Sequence, residues 1–233
     1  LTLVDLVTMT VVDTCSGSRP SNTVRFGNGA FAFNAASTYA FAPDPAGLPG
    51  GMQGVWRIDL SRQPVANRCE IIGLIPAAAG ATFTAVRATD TPGGLIVADQ
   101  LRGLAVLNIN PTSTTAGTYS SWSGEAVPAT ALYYDVDPNF VWAVRINGPV
   151  VRHSLSGREP AIVLVDTSVG NNEGTAQSAD RRWLLHTTNL NEVVVIDLVA
   201  RRRIDGVINV SARSGFGWAA HPSLTRFVTG RPA

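Results

Sequence analysis

The chain has 233 residues, of which 45% are hydrophobic and 15% charged, and its formal net charge is +1. This composition is typical of a globular protein with a large core and excludes an intrinsically disordered chain. So small a net charge gives no field that favours nucleic acid, and no stretch reaches the roughly 20 apolar residues that span a bilayer. We therefore expect no nucleic-acid partner and no membrane insertion.

Residues 1–15 are predicted to form the first two strands. Residues 1–14 resemble residues 194–206, the outer strand pair of a later repeat, whereas residues 215–230 resemble the inner strand pair at 174–188. Complementary half-units at the two ends of a chain predict a ring closed by joining them, which removes free sheet edges. We expect residues 1–15 to be the outer strands of the closing blade and residues 215–230 its inner strands.

The first complete repeat follows this N-terminal pair. Its four strands are predicted at residues 30–33, 38–42, 54–60 and 69–74. The loop at residues 43–53, between the second and third strands, is rich in Pro and Gly. It is interpreted either as a tolerated insertion or as a semi-rigid cover over a channel mouth.

The next two repeats keep the same order of four strands. Those of the second repeat are predicted at residues 82–87, 94–99, 104–109 and 118–122. Those of the third repeat are predicted at residues 131–136, 140–145, 150–155 and 161–165.

The fourth repeat is the clearest copy. The alternation of Trp183, Leu185 and Thr187 predicts a half-buried strand, and strands at 193–198 and 203–210 complete the set. A period of roughly 40–50 residues is typical of a propeller with four strands per blade. With the joined terminal unit, we predict an all-β, five-bladed β-propeller of four antiparallel strands per blade, a single domain over residues 1–233.

Residues 179–182, 184–189 and 193–198 resemble the YVTN family of propeller repeats. A unit of that family has an inner strand, a PDG-like turn, a YVTN-like strand and a V-x-V-I-D strand. This chain departs from the pattern at residues 136–139 and 221–223, where other sequences replace the PDG turn. The resemblance implies a propeller fold and no particular activity.

A short polar residue recurs near the end of the third strands. It is Asp5, Asp59, Asn108 or Asp197. Such a side chain can cap the following turn through the turn's backbone, whereas a metal role would need residues on different blades to converge. We therefore interpret these residues as turn caps.

The rest of the composition bears on location and chemistry. All 18 basic residues are Arg, so the lysine-free chain has no Schiff-base or catalytic lysine. It begins at Leu1 without Met, from which we expect a processed, secreted or extracellular protein. Cys15 and Cys69 would then be candidates for a disulfide, but the repeat assignment places them at different heights of the blades, so their pairing stays open.

No common catalytic motif occurs in the sequence. It has no G-x-S-x-G elbow, H-E-x-x-H helix, phosphate-binding loop or dinucleotide fingerprint. The three histidines, His153, His186 and His221, occupy different positions in their blades, which favours packed or surface roles over a metal site. We predict that the protein holds no metal or other cofactor.

Candidate binding residues are those that the repeat assignment brings to a channel mouth, where first strands begin and the loops from second to third strands meet. They are Arg25, Asn28, Asp99, Arg102, Arg145, Asn147, Asn172, Glu173, Asn189, Arg213 and Arg231. Several guanidinium groups with few carboxylates favour an anionic or sugar ligand through bidentate hydrogen bonds. The alternative is a rim that is polar only because it faces water.

Two functions follow from these residues. The first is a non-enzymatic binding or assembly propeller with a small-molecule, glycan or protein partner at the channel mouth. The alternative, by analogy alone, is a lactonase-like or glycan-acting hydrolase with a divalent cation such as calcium in the channel. Its ligands would come from Asn28, Asp99, Asn147, Glu173 and Asn189. Lactonases of that type normally have six blades, which counts against the alternative.

Overall fold

The computed structural model describes residues 2–5, 8–14, 31–34, 36, 38–43, 54–61, 70–77, 80–144, 148–164, 174–187, 192–204, 208–209, 218–220 and 227–229. These residues form β-strands joined by turns and bends, and no helix among them is long and apolar enough to cross a membrane. The chain divides into two compact units, Leu1–Ala131 (unit 1) and Leu132–Ala233 (unit 2).

Unit 1 begins with the predicted pair of strands. The strands β1 (Thr2–Asp5) and β2 (Thr10–Thr14) are antiparallel, with an irregularity in register between Leu3 and Val4. Met9, in the turn between them, has a φ of 54°. The pair is confirmed; its union with residues 215–230 in one closing blade stays a prediction.

The first complete repeat forms a four-stranded antiparallel sheet in sequence order, as predicted. Its strands are β3 (Ala32–Phe33), β4 (Tyr39–Pro43), β5 (Gly54–Asp59) and β6 (Glu70–Pro76). Side chains on β4 and β5 alternate between the two faces of this sheet. Most of them are buried, so both faces of the sheet are covered. Phe41 and Val55 pack on one side, and Ala40, Trp56 and Ile58 cluster on the other.

The second repeat forms a three-stranded sheet, and its predicted fourth strand is replaced by a looser segment. The strands are β7 (Phe83–Ala88), β8 (Gly94–Asp99) and β9 (Gly103–Asn108). At residues 118–122 the prediction of a strand is wrong, since Tyr119 makes only an isolated bridge to Leu107. Serine is the physical reason: the Ser120 and Ser123 hydroxyls accept hydrogen bonds from β9 backbone N–H groups and interrupt the regular ladder.

The two large sheets of unit 1 share one core. Phe41 and Val55 from the first sheet lie in the same cluster as Phe83 and Leu95 from the second. The first strands of the two sheets, β3 and β7, are neighbours. Successive sheets thus pack face to face with their first strands adjacent, which is the arrangement of neighbouring propeller blades.

Unit 2 repeats this plan. The third repeat forms the antiparallel sheet of β10 (Ala131–Tyr134), β11 (Phe140–Val144), β12 (Val151–Ser154) and β13 (Ile162–Val163). The fourth repeat forms β14 (Gly174–Gln177), β15 (Trp183–Thr187), β16 (Glu192–Asp197), β17 (Arg202–Arg203) and β18 (Ile208–Asn209).

The outer edge of the sheet formed by the fourth repeat differs from the prediction. A single strand was expected over residues 203–210, but two short segments pair with β16 instead. The segment β17 lies opposite Ile196 and Asp197, whereas β18 lies opposite Glu192 and Val193. The chain then forms a hairpin of β19 (Trp218–Ala220) and β20 (Phe227–Thr229), and β19 lies beside β14.

The glutamine side chain of Gln177 joins the two sheets of unit 2. Its amide nitrogen donates to the backbone oxygen of Tyr134 at 2.6 Å, and its amide oxygen accepts from the Tyr134 N–H at 3.0 Å. The Tyr133 hydroxyl donates to the backbone oxygen of Thr175 at 2.9 Å. These bonds connect the end of β10 to β14, so they fix the first strands of the two sheets beside each other.

Candidate functional site

Most of the predicted channel-mouth residues lie outside the described part of the chain. These are Arg25, Asn28, Arg145, Asn147, Asn172, Glu173, Asn189, Arg213 and Arg231. Asp99 and Arg102 are described: Asp99 is the last residue of β8, and Arg102 lies in the turn between β8 and β9. Cys15, Cys69, His221 and most of the loop at residues 43–53 also fall outside the described residues.

Asp99 caps the turn that follows β8. Its carboxylate accepts hydrogen bonds from the backbone N–H groups of Thr82 at 2.6 Å, Leu101 at 2.8 Å and Arg102 at 2.7 Å. The side chain is 0% exposed. Asp99 therefore fixes the loop that carries Arg102, and a direct part in ligand binding stays a prediction for both residues.

The recurring polar residue of the third strands is confirmed as a turn cap where its side chain is described. The Asp59 carboxylate accepts from the Ser61 N–H, and the Asn108 side-chain oxygen accepts from the Asn110 N–H. One Asp197 oxygen accepts from the N–H groups of Val199 and Ala200.

The described histidines are packed inside the sheets. His153 lies on β12 and His186 on β15, and both are buried. His186 Nδ1 lies 2.7 Å from the Thr175 hydroxyl, while its Nε2 has no hydrogen-bond partner among the described residues. Burial lowers the pKa of His186 to about 4. Within the described ranges, no three His, Cys, Asp or Glu side chains are grouped to hold a metal, and the cation of the hydrolase alternative stays a prediction.

Unit 2 contains a cavity of about 240 Å³ that we call the arginine cleft. It is lined by Asp135, Val136, Trp142, Arg152, Arg181, Leu198, Val199 and Arg201. Apart from Trp142 and Arg152, these residues lie in the turns that follow β10, β14 and β16. Because consecutive strands are antiparallel, these turns lie at the strand ends opposite to the loops of the predicted channel-mouth site.

The buried wall of the cleft is an ion pair between residues of the third repeat. Trp142 on β11 lies opposite Arg152 on β12, so both side chains project from one face. The Arg152 guanidinium donates from Nε and Nη2 to the two Asp135 carboxylate oxygens, at 2.7 and 3.0 Å, and stacks 3.5 Å from the centre of the Phe140 ring. The hydrogen bond that Arg152 donates to Asp135 raises the pKa of Arg152, which keeps the guanidinium charged.

A second guanidinium enters the cleft from the turn between β14 and β15. Arg181 adopts a left-handed backbone conformation with a φ of 62°. Its Nη1 donates to the backbone oxygen of Asp135 at 3.3 Å, and its guanidinium lies 4.7 Å from the centre of the Tyr134 ring. Contacts with the neighbouring sheet therefore hold Arg181 in place.

The third guanidinium, from Arg201, lies in the turn between β16 and β17. Its backbone is also left-handed, with a φ of 54°, and its side chain is exposed. No described residue makes a hydrogen bond or ion pair with it. For a residue other than glycine this conformation costs about 1–2 kcal/mol, and such outliers cluster at functional sites.

Asp197 ties the turns that carry Arg181 and Arg201 to each other. While one of its oxygens caps the β16–β17 turn, the other accepts from Arg182 Nη2 at 2.8 Å. Burial alone would raise the pKa of Asp197, but the hydrogen bonds from Arg182 and the turn's N–H groups lower it below its ordinary value. The carboxylate is thus charged at neutral pH and fixes both turns relative to the sheet of the fourth repeat.

The rest of the lining is apolar. Trp142 and Leu198 are buried, whereas Val136 and Val199 are 60% and 55% exposed. The described lining thus combines three guanidinium groups and one carboxylate with an apolar surface that partly faces solvent. Guanidinium groups bind carboxylates in bidentate geometry, so the cleft can bind an anionic group that carries an apolar neighbour.

Sequence reasoning missed this cleft, although one signal of it is visible. An Arg-Arg pair begins within each of the turns after β14 and β16, at Arg181-Arg182 and at Arg201-Arg202, which Arg203 follows. Each first Arg occupies the left-handed position at which Gly or Asn is usual. In both pairs this is the residue that lines the cleft.

Comparison with known proteins gives the fold. No family model and no curated protein matches the sequence. The WD40 domain of Toxoplasma gondii coronin is similar, with a TM-score of 0.57 and 12% identity over 84% of this chain and 50% of that one. A chain of the COPII outer coat vertex is similar with a TM-score of 0.61 and 12% identity, over 86% of this chain and 57% of that one. The fold is that of a β-propeller.

A third similar structure comes from an enzyme. It is hydrazine synthase from Kuenenia stuttgartiensis, with a TM-score of 0.51 and 14% identity over 82% of this chain and 52% of that one. The present chain thus spans 50%, 57% and 52% of the three similar chains. At these identities the likeness concerns the fold alone, and the YVTN-like resemblance and the count of five blades stay predictions.

Proposed function

We propose that this chain is a binding or assembly propeller without catalysis of its own, which takes a carboxylate-bearing partner at the arginine cleft. The observation that carries the proposal is the convergence of Arg152, Arg181 and Arg201 on one cavity of unit 2. A similar propeller in the COPII outer coat vertex, part of an assembly, supports this class of function.

The charges of the cleft support an anionic partner. Its single described carboxylate, Asp135, is bidentate on Arg152, so that pair is internally neutral. Arg181 and Arg201 then give the lining a net charge of +2, since three guanidinium groups less one carboxylate leave two. A carboxylate that enters between them gains charge-assisted hydrogen bonds, each worth about 1.5–3 kcal/mol.

The sequence-based site belongs to the same proposal as a second binding surface. The turn between β8 and β9, with Asp99 and Arg102, would serve a glycan, small-molecule or protein ligand at a channel mouth. Location outside the cell is part of this proposal too.

Replacement of Arg201 by glutamine tests the proposal. We expect Arg201→Gln to weaken the binding of glutarate about tenfold, the loss of one charge-assisted hydrogen bond, because the amide is polar but carries no charge. Calorimetric titration measures the change, with maltose as a neutral ligand that should not bind in the cleft. Arg202→Gln is the matched control, since Arg202 is also exposed but does not line the cleft. Equal effects of the two substitutions, or no binding of glutarate, would contradict the proposal.

A further inference from the structure

We infer that the partner at the arginine cleft is a segment of another protein, in which one Asp or Glu stands next to an aliphatic residue. This inference rests on the proposed function and specifies its partner. The carboxylate would lie between Arg181 and Arg201, and the aliphatic side chain would lie on the apolar edge formed by Val136 and Val199.

The size of the cleft favours a side chain over a whole small ligand. Pockets that enclose drug-sized molecules have volumes of about 300–1,000 Å³, and this cavity has about 240 Å³. It therefore has room for one or two side chains of a larger partner, whose backbone would remain outside.

The two guanidinium groups facing this space differ in how firmly they are held. The Tyr134 ring and the backbone oxygen of Asp135 position Arg181 before any partner arrives. The turn of Arg201 is fixed by Asp197, but the side chain itself is exposed. A preorganised donor lowers the entropy cost of binding, so Arg181 can orient the carboxylate while Arg201 closes over it.

The exposed apolar edge favours a peptide. Val136 and Val199 line the cleft, and both are among the large hydrophobic side chains that remain exposed. Apolar surface beside arginine is characteristic of protein–protein interfaces. The phosphate backbone of a nucleic acid would gain no apolar contact from the two valines. An aliphatic side chain next to the acidic residue would bury them.

Nearby carboxylates disfavour a partner segment with a run of negative charges. Asp137 and Glu159 act electrostatically on Arg152, and Asp180 acts on Arg182. These carboxylates would repel a long acidic tract, because like charges at an interface oppose binding. An isolated acidic residue between aliphatic neighbours meets the arginines without that repulsion.

A peptide array tests the inference with the whole chain. Capped heptapeptides would carry a central Glu or Gln, with the two flanking positions varied among Leu, Val, Ser and Glu. We expect the strongest binding for Glu flanked by Leu or Val, and binding about tenfold weaker for the Gln, Ser-flanked and Glu-flanked versions. The strongest peptide is then measured by calorimetry beside glutarate and a single-stranded oligonucleotide.

Two matched substitutions separate the peptide inference from the proposed function. Val199→Ser should weaken the peptide severalfold and leave glutarate unchanged, whereas Val163→Ser should change neither. Val163 is the control because it is 54% exposed, against 55% for Val199, and does not line the cleft. If glutarate binds through Arg201 but Val199→Ser has no effect on the peptide, the inference fails and the proposed function stands. If no carboxylate binds, both fail, and preference for the oligonucleotide would overturn the peptide.

Discussion

Replacement of Asp135 by asparagine is expected to lower the free energy of unfolding by about 3–5 kcal/mol, as is typical when one partner of a buried ion pair is removed. The side chains of Arg152 and Asp135 are only 10% and 4% exposed, and two hydrogen bonds join them. Without the carboxylate, the Arg152 charge would stay buried beside the Phe140 ring without its counter-ion. Asparagine keeps an acceptor for the Asp137 N–H, which Asp135 caps at 2.9 Å, so the loss reports mainly the charge.

Urea unfolding at pH 7, followed by tryptophan fluorescence, measures this loss. The double variant Asp135→Asn with Arg152→Met should recover much of it, because no buried charge then remains. Asp137→Asn is the control, since Asp137 caps Asn139 in the same turn and makes no ion pair with Arg152. A change below about 1 kcal/mol for Asp135→Asn would place the pair in the range of surface ion pairs and contradict its role as the wall of the cleft.

The sheets are the part of this molecule that is readable from the sequence. Strands such as β5 and β11 are buried on both faces and are rich in Val, Ile and Trp, so their apolar runs stand out between turn residues. Complete repeats preserve the order of these runs, which makes each strand predictable from the others. The segment at 118–122 was wrongly predicted as a strand because it contains Thr, Tyr and Trp, residue types that are enriched in strands. Its serine hydroxyls, however, replace backbone groups in the pairing with β9.

The arginine cleft could not be predicted from the sequence in the same way. Asp135 and Arg181 are 46 residues apart, and their contact depends on how one sheet packs on the next. Hydrophobic alternation predicts which face of a strand is buried, but it does not predict which turn of the neighbouring sheet meets that face. The sequence interpretation therefore placed binding groups on the loops at the other strand ends, where propeller function usually lies.

Acidification is expected to destabilise the protein through His186 between pH 6.5 and about 4. Burial lowers the pKa of His186 from 6.5 to about 4 in the folded chain. In this window the unfolded chain binds a proton that the folded chain excludes, so the free energy of unfolding falls by about 1.4 kcal/mol per pH unit. The total contribution is about 3 kcal/mol, and above pH 6.5 His186 contributes no pH dependence.

His186→Asn isolates this contribution, because asparagine can still reach the Thr175 hydroxyl but does not titrate. Urea unfolding of both proteins from pH 8 to pH 4 should show a steeper loss for the wild type, and the difference between them removes the other groups. Asp197 does not compete in this window, since its lowered pKa affects stability only below its ordinary value of 3.8. Parallel curves for the two proteins would mean that the unpaired Nε2 of His186 is solvated in solution. Such a result would contradict a dry core around β15, in which the Nε2 has no partner.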